Sequence, residues 1–438
     1  MASAPPSRRD DFEIAVICAL SIEYNAVTLI FDEFWDHKGD KYGRASGDPN
    51  HYTTGRVGKY NVVLALLPNM GTIDAASAAA SMRSSYRALK LALLVGVCGG
   101  VPRGEQGEEV LLGDVIISKS VVRYDFGRQY PDRFVRKNTI GDNLGWPNKD
   151  IRNLLVWFET DHGIGELERR TADFLQQLQA NAAKNRRAGK DKYRYPGTAQ
   201  DQLFRPDYRH KHHIAAACLC RDCLDDAHPV CDAALNSLCG DLGCDKSQLV
   251  VRDRLDEKQQ LEREDSTAAQ APALYVGAVA SGDKVIKSAA HRDKIAAKEN
   301  VIAFEMEGAG VWDEVPCIMV KGVCDYADSH KHKGWQNFAA ATAASAAKAI
   351  LERYVQTDKP LEAASNNRKC GSRDCDGKSN KRSATARGDM SHTAHYGRPG
   401  ADAQGPVFHG PMFYGPITGH NVIAGSSTTG GTVQYDFN

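Results

Sequence analysis

Acidic side chains recur where the predicted strands of this sequence end. Glu23, Asp283 and Asp325 each follow an apolar run, and Glu305-Met306-Glu307 follows another. A further strand end carries Gly99-Gly100, where a ligand can approach the backbone closely. Because ligands of open α/β sheets bind beyond the carboxyl ends of the strands, we expect these residues to line one crevice. Carboxylates that converge in a crevice shift each other's pKa values, which is typical of acid–base chemistry.

The elements that must position these side chains are short apolar runs that alternate with helical patterns. The predicted helices span residues 26–34, 74–89, 308–314 and 339–354. The runs with the length and composition of buried strands are residues 13–20, 60–67, 91–97, 114–118, 274–280, 301–304 and 316–323. This alternation predicts an α/β fold whose sheet is covered by helices on both faces.

Charge and hydropathy narrow the class of protein. The 438 residues include 55 Lys and Arg against 55 Asp and Glu, so the net charge is zero. This balance argues against a protein that coats nucleic acid, because no excess positive charge attracts the phosphate backbone. No apolar run approaches the roughly 18 residues of a transmembrane helix, and residues 1–11 lack the apolar stretch of a signal peptide. We therefore expect a cytoplasmic globular protein without nucleic-acid or membrane partners.

The alternation of strands and helices stops at residue 148 and resumes after 273. We interpret residues 148–273 as an insertion into one α/β domain of residues 12–356, and residues 165–183 within it have amphipathic helical spacing. Residues 357–404 are polar and are predicted to be a flexible linker. Residues 405–438 repeat Gly-Pro and carry almost no charge, which fits either a disordered tail or a segment that pairs with copies of itself.

Six motifs, in this order, resemble the nucleoside phosphorylase superfamily, and within it the nucleosidases that cut methylthioadenosine and adenosylhomocysteine. They are Ala19-Leu-Ser-Ile-Glu23, Gly96-Val-Cys-Gly-Gly100, Leu112-Gly-Asp-Val115, Ser281-Gly-Asp283, Glu305-Met-Glu-Gly-Ala309 and Lys321-Gly-Val-Cys-Asp-Tyr-Ala-Asp328. The resemblance implies a twisted mixed sheet flanked by helices, here with a helical, cysteine-rich insertion and a low-complexity C-terminal tail. The whole chain also resembles fungal proteins in which such a domain is the effector module of NACHT- or ankyrin-containing defence proteins.

The resemblance implies cleavage of a purine N-glycosidic bond through an oxocarbenium-like state. Asp325 would be the general acid that protonates purine N7, which makes the base a better leaving group. Glu307 would accept hydrogen bonds from the ribose 2′- and 3′-hydroxyls, with Met306 beneath the sugar. The residues that would lie alongside the purine base are Cys98, Gly99, Asp283 and Val285.

Glu23 separates two branches of the superfamily. In nucleosidases a glutamate at this place activates the attacking water, whereas phosphorylases hold phosphate with glycine and arginine near the first strand and with arginine and serine near the third. Here Val97 stands where that serine would be, and no arginine lies beside it. The resemblance therefore favours hydrolysis over phosphorolysis.

Two departures from the family pattern concern the substrate. Val285 replaces the aromatic that stacks on the base in family nucleosidases, while Trp335 matches an aromatic that walls the 5′ side of the sugar. Positive side chains near that wall would suit a 5′-phosphate, although they could equally form a solvated loop: His330, Lys331, His332, Lys333 and Arg123, with Arg128 and Arg133 beside Arg123. We expect a purine ribonucleoside or nucleotide as substrate, namely adenosine, inosine, guanosine, AMP or ATP.

A cysteine cluster, Cys218 to Cys244, lies in the predicted insertion behind His210, His212 and His213. Cys220-x2-Cys223 has the spacing of a zinc knuckle, but a second such knuckle is missing. A zinc site, disulfides and free thiols all remain open for this segment.

The function predicted from these features is a purine nucleosidase that needs no cofactor and no metal in its catalytic site and that self-associates, as its family does. One alternative is a phosphate-dependent purine nucleoside phosphorylase. The other is a non-catalytic nucleotide-sensing module that self-assembles through its C-terminal tail.

Overall fold

A computed structural model of the protein describes residues 5–355 except 38, 105, 140–141, 186–188, 190, 215–217 and 224–227. The predicted linker and tail, residues 357–438, therefore lie outside the described residues. The first half contains β1 (Ile14–Cys18), α1 (Ser21–Thr28), β2 (Glu33–Phe34), β3 (Tyr52–Val57), β4 (Tyr60–Leu66), α2 (Thr72–Ser85), β5 (Leu91–Gly100), β6 (Val115–Arg123), β7 (Gly127–Gln129), β8 (Phe134–Arg136), α3 (Lys149–Phe158) and α4 (Asp161–Lys184).

The second half contains α5 (Asp232–Asn236), α6 (Cys239–Leu242), α7 (Asp253–Glu264), α8 (Ser266–Ala269), β9 (Leu274–Ser281), α9 (Ala289–Glu299), β10 (Val301–Glu305), α10 (Gly308–Val311), β11 (Cys317–Asp325) and α11 (Gln336–Arg353). Among the described helices, none combines the length and the apolar composition that a membrane crossing requires.

The main sheet has nine strands in the order β10-β9-β6-β11-β5-β1-β4-β3-β2. Its centre is parallel, because β1 pairs with β4 and β5, and β5 pairs with β11. The pairs β11–β6, β3–β4 and β2–β3 are antiparallel, so the sheet is mixed as predicted. At its end β5 also pairs with β10, where Gly99 and Gly100 lie opposite Phe304 and Ala303. This pairing joins the first and second halves of the chain next to the strand ends.

The apolar runs form the core because both faces of the central strands are covered. All five residues of β1 are buried, and α11 buries an almost continuous run of alanines against the sheet. Alanine is a strong helix former and its small side chain lets the helix approach the strands closely. Helix α4 extends the predicted segment 165–183 and buries the expected apolar face against the same core.

Two local predictions were wrong. The helix expected over residues 26–34 begins earlier, at Ser21, and ends at Thr28, while Glu33 and Phe34 pair with β3 as a short edge strand. Strand β3 itself was not predicted, because Gly55 interrupts its apolar pattern. The shift matters for the site, because it places Glu23 in the first turn of α1 rather than in the loop before a helix.

Candidate active site

A cavity of about 270 Å³ lies where β1, β5, β10 and β11 end. This volume is close to the lower limit for small-molecule sites in proteins. Most of the sequence-predicted site residues line it: Glu23, Cys98, Gly99, Val285, Met306, Glu307, Asp325 and Lys331. The carboxyl ends of the parallel strands thus meet at one place, as the strand-end pattern predicted.

Glu23 lies on the floor of the cavity and is only 2% exposed. Its Oε2 accepts hydrogen bonds from the backbone N–H groups of Ala19 and Leu20, at 2.9 and 2.8 Å, so the side chain caps the helix to which it belongs. Its Oε1 accepts the N–H of Val97 on β5 at 2.8 Å. These bonds fix the carboxylate between β1 and β5.

Burial raises the pKa of Glu23 above the usual value of a glutamate. The positive charge of Lys321 opposes this shift, while the negative charge of Glu307 adds to it. A carboxylate with a raised pKa is a stronger base than an exposed one, which is the property required of a group that takes a proton from water.

The position of Glu23 depends on a glycine in β5. A Cβ built on Gly96 would overlap the Glu23 carboxylate, so no larger residue fits there while Glu23 keeps its place. Gly99 has a similar role beside Asp325, where an added Cβ would lie 2.9 Å from the Cβ of Ala327 and 3.1 Å from Oδ1 of Asp325. The glycines of the Gly96-Val-Cys-Gly-Gly100 motif therefore make room for two carboxylates.

A buried lysine balances the acidic floor. Lys321, on β11, is 1% exposed, and its Nζ lies 3.1 Å from Oε2 of Glu307 and 3.4 Å from Oε2 of Glu305. Burial alone would lower the pKa of Lys321, but the charges of Glu307, Glu305 and Glu23 outweigh burial and raise it. Lys321 therefore stays protonated and compensates for part of the negative charge under the cavity.

Glu305 has a supporting position beneath Glu307. Its carboxylate accepts hydrogen bonds from the backbone N–H groups of Glu307, at 3.1 Å, and Gly308, at 3.0 Å. It thereby holds the turn between β10 and α10 on which Glu307 lies. The sequence analysis placed Glu305 at the crevice without a separate role and did not single out Lys321. The available signal was the lysine itself, because a charged residue inside an apolar strand pattern needs a buried partner.

Asp325 ends β11 at the side of the cavity. Its Oδ1 accepts the N–H of Ala327 at 2.8 Å, and its Oδ2 lies 3.4 Å from Sγ of Cys324 and 3.5 Å from Nζ of Lys331. Ala327 has a φ of 51°, in the left-handed region that residues other than glycine rarely adopt. Such backbone strain is often found at functional sites, and here it turns an N–H group toward Asp325.

The outer rim of the cavity is more open than its floor. Val285 is 53% exposed and borders the cavity with Lys284 and Ile286. Lys331 borders it on the side of Asp325, and Met70, which sequence reasoning did not single out, is exposed at the edge. The floor is thus formed by strand ends, whereas the rim is formed by loops.

Five sequence-predicted residues do not line the cavity. Asp283 instead caps α2, because its two carboxylate oxygens accept the N–H and the hydroxyl of Thr72, each at 2.8 Å. Arg123 stacks on the ring of Phe126, at 4.4 Å, beside a different surface pocket, and Lys333 is exposed. Asp283, Arg123 and Lys333 therefore lie outside the lining of the cavity at which they were expected.

Trp335 and His330 are the other two, and both belong to the packed interior. Trp335 packs on Tyr195 and Phe338, and its Nε1 donates to the carbonyl of Gln200 at 3.0 Å. His330 stacks on Phe204, and burial lowers the pKa of its ring to about 3, so it carries no charge for a phosphate. The segment that follows β11 therefore buries His330 and Trp335 in the protein interior, although its polar composition indicated an exposed loop.

The chain is similar to several known proteins. Residues 13–176 match the family model described as the phosphorylase superfamily, a match that runs through α3 and into α4, beyond residue 148. A nucleotide-binding leucine-rich repeat (NLR)-like protein of Hyaloscypha variabilis is 30% identical over 353 residues, which is 79% of this chain. The chain spans 30% of the length of that relative.

Solved structures with a similar fold include the 5′-methylthioadenosine/S-adenosylhomocysteine nucleosidase of Neisseria meningitidis, with 16% identity and a TM-score of 0.39. Another is a futalosine hydrolase mutant of Helicobacter pylori, with 13% identity and a TM-score of 0.43. Each comparison covers 78% of this chain and 99% of the other. Over residues 13–176 the chain is thus similar to the phosphorylase superfamily.

Proposed function

We propose that the chain is a purine nucleosidase, which hydrolyses the N-glycosidic bond of a purine ribonucleoside or nucleotide to the free base and ribose or ribose phosphate. The observation that carries this proposal is the placing of three carboxylates, Glu23, Glu307 and Asp325, around one small cavity. They end or follow three different strands, so only the folded sheet brings them together.

The three carboxylates would have different roles in the reaction. Glu23, as the ionised base, takes a proton from a water molecule whose oxygen attacks C1′ of the ribose. As the bond between C1′ and N9 breaks, its electron pair passes to the purine, and Asp325 gives a proton to N7 of the leaving base. The negative floor also favours the positive charge that develops on the sugar.

Glu307 would orient the sugar. The Nζ of Lys321 holds one oxygen of the Glu307 carboxylate at 3.1 Å, which leaves the other oxygen to accept hydrogen bonds from the ribose hydroxyls. Met306 lines the same cavity and would pack beneath the ring. Correct orientation of sugar and water is worth several orders of magnitude in rate, so the fixed floor is itself part of the catalysis.

Two features of the cavity favour hydrolysis over phosphorolysis. The described residues that line it include Lys284 and Lys331 but no arginine. In addition, the N–H of Val97, which could have held an anion at the end of β5, already donates to Glu23. A phosphate dianion placed there would meet the Glu23 carboxylate at close range, which disfavours its binding.

The name of the fungal relative supports one alternative, a nucleotide-sensing module without catalysis. In that case the cavity would bind a nucleotide, and other domains of a larger protein would respond to the binding. The buried Glu23 counts against this alternative, because a site that only binds a nucleotide does not need a carboxylate to activate water.

Product analysis tests the proposal. The purified chain is incubated with adenosine, inosine, guanosine, AMP and ATP, each with and without phosphate, and the products are separated by chromatography. We expect free base without phosphate, and a loss of about 10² to 10⁴-fold in kcat for Glu23→Gln and for Asp325→Asn. Glu257→Gln, on the exposed face of α7, is the matched control and should keep full activity.

The other outcomes are equally informative. Base released only in the presence of phosphate would assign the chain to the phosphorylases and remove the role of Glu23. Tight nucleotide binding without release of base from any of the five substrates would favour the sensing module.

A further inference from the structure

Four potential metal ligands from the segment between α4 and α7 meet at one point. Nδ1 of His212 lies 3.3 Å from Sγ of Cys220 and 3.5 Å from Sγ of Cys231. Sγ of Cys218 lies 3.3 Å from Sγ of Cys220 and 3.6 Å from Sγ of Cys231. The Sγ atoms of Cys220 and Cys231 are 3.7 Å apart. All four ligand atoms lie within 4.8 Å of one another.

These sulfur distances exclude disulfides within the group. A disulfide requires about 2.05 Å between the sulfurs, and a group of three cysteines would leave one unpaired. Hydrogen bonds between thiols are weak, so they give little reason for three of them to crowd around an imidazole nitrogen. The arrangement needs another cause.

A tetrahedral zinc ion accounts for the spacing. With Zn–S bonds of about 2.3 Å and a Zn–N bond of about 2.05 Å, the edges of the tetrahedron are about 3.8 Å between sulfurs and about 3.6 Å between sulfur and nitrogen. The five recorded distances, 3.3 to 3.7 Å, are close to these edges. Three thiolates and one imidazole are also the soft ligand set that closes a structural zinc site.

The described residues around these ligands have little apolar packing of their own, whereas Tyr193 and Leu203, earlier in the segment, join the main core. Among the described residues of the segment the α-helices are α5 and α6, with five and four residues. Its own apolar cluster consists of little more than Cys220, Cys223, Ala234 and Leu242. Small units with so few buried apolar side chains commonly depend on a metal or on disulfides.

A neighbouring group provides an internal comparison. Nδ1 of His210 lies 3.7 Å from the sulfurs of both Cys239 and Cys244, and its Nε2 bonds to the carbonyl of Ser237 at 3.0 Å. A carbonyl partner on Nε2 leaves the lone pair on Nδ1, which is the arrangement of metal-binding histidines. This group has three ligands among the described residues, so a metal there would keep an open position.

We propose that His212, Cys218, Cys220 and Cys231 form a structural zinc site that stabilises the segment between α4 and α7. The sequence did not reveal this set, because its ligands follow a His-x5-Cys-x-Cys-x10-Cys spacing rather than paired Cys-x2-Cys knuckles. Cys223, the second cysteine of the apparent knuckle, lies outside the group and donates to the carbonyl of Pro229 at 3.4 Å.

The first experiment measures the metal content of the full chain, purified from cells grown with added zinc, by inductively coupled plasma mass spectrometry. We expect Cys220→Ala to lose about one equivalent of zinc relative to the wild type, while the matched control Cys223→Ala keeps it. Equal zinc in the wild type and in Cys220→Ala would overturn the proposal. So would iron in place of zinc, or loss of the metal only in Cys239→Ala.

A second measurement needs no variant and so does not depend on variants that fold. The wild-type chain is alkylated with and without a zinc chelator, and the modified cysteines are identified by mass spectrometry. Cys218 and Cys231 are half-buried, so a bound metal rather than burial should protect them. We expect both to become modified much faster after chelation, and equal modification with and without chelator would refute the site.

Discussion

The floor and the rim of the cavity are built in different ways. On the floor, Glu23, Glu307 and Lys321 are 2%, 5% and 1% exposed, and each is fixed by hydrogen bonds or ion pairs to neighbouring strand ends. On the rim, Val285 is 53% exposed and Lys331 contacts Asp325 at 3.5 Å from a loop.

This difference indicates where chemistry and selectivity reside. A buried, hydrogen-bonded floor is organised before the substrate arrives, which is what stabilisation of a charged transition state requires. The rim has few fixed contacts and can change without disturbing the core, so it is the part that would select among purine substrates. The predictions below test the two parts separately.

The largest effect is expected from Lys321→Met. This change leaves Glu23, Glu305 and Glu307 buried without their shared cation, and removal of one partner of a buried ion pair typically costs about 3–5 kcal/mol. Urea unfolding followed by circular dichroism measures the loss. Lys119→Met, which breaks the more exposed pair with Glu159, is the control and should cost less than about 1 kcal/mol. Equal costs for the two variants would show that the floor is not an electrostatic unit.

Gly96→Ala should damage catalysis through a single methyl group. The new Cβ would overlap the carboxylate of Glu23 and displace it, and overpacking of this kind costs about 1–3 kcal/mol of stability. A displacement near 1 Å at a reacting group lowers kcat about 10²-fold. Gly145→Ala, whose Cβ meets no atom within 4 Å, is the control. Full activity of Gly96→Ala would mean that catalysis does not depend on the present position of the Glu23 carboxylate.

The pH dependence reports on the charge of the floor. Glu23 can act as a base only when ionised, and burial raises its pKa, so kcat/KM should fall on the acid side at a higher pH than for an exposed glutamate. Glu307→Gln removes a negative neighbour that raises the pKa of Glu23, so this acid limb should move to lower pH even though the rate is reduced. Glu257→Gln should leave the limb unchanged. If the acid limb of Glu307→Gln lies at the same pH as that of the wild type, the limb does not report the ionisation of Glu23.

The smallest effect concerns the rim. If a 5′-phosphate binds beside Lys331, Lys331→Ala should raise KM for AMP about tenfold more than KM for adenosine, as expected for the loss of one charge-assisted hydrogen bond. Lys333→Ala is the control, because Lys333 is also a lysine and lies two residues further along the chain. Its side chain is exposed outside the cavity, so its loss should change neither KM. An equal change for AMP and adenosine in Lys331→Ala would mean that Lys331 acts on Asp325 and not on phosphate.

The sequence predicted that the floor residues share one crevice, and the structure brings them together there, whereas the sequence misplaced several residues of the rim. Glu23, Glu307 and Asp325 were recognised because each follows an apolar strand, and the ends of parallel strands converge whatever the side chains are. Asp283, Trp335 and His330 also lie near strand or helix ends, yet they cap a helix or enter the core. Sequence pattern does not distinguish a polar residue that faces a cavity from one that satisfies a neighbouring backbone group.

What the sequence by itself determined is the set of apolar runs, their alternation with helices, and the acidic residues that follow them, because these depend on local composition and period. Only the tertiary structure decided that Lys321 pairs with the buried Glu305 and Glu307 and that Gly96 makes room for Glu23. It also decided which four of the Cys and His side chains meet in the segment between α4 and α7. These contacts join residues far apart in the chain, and their geometry follows from how the elements pack rather than from any spacing along the sequence.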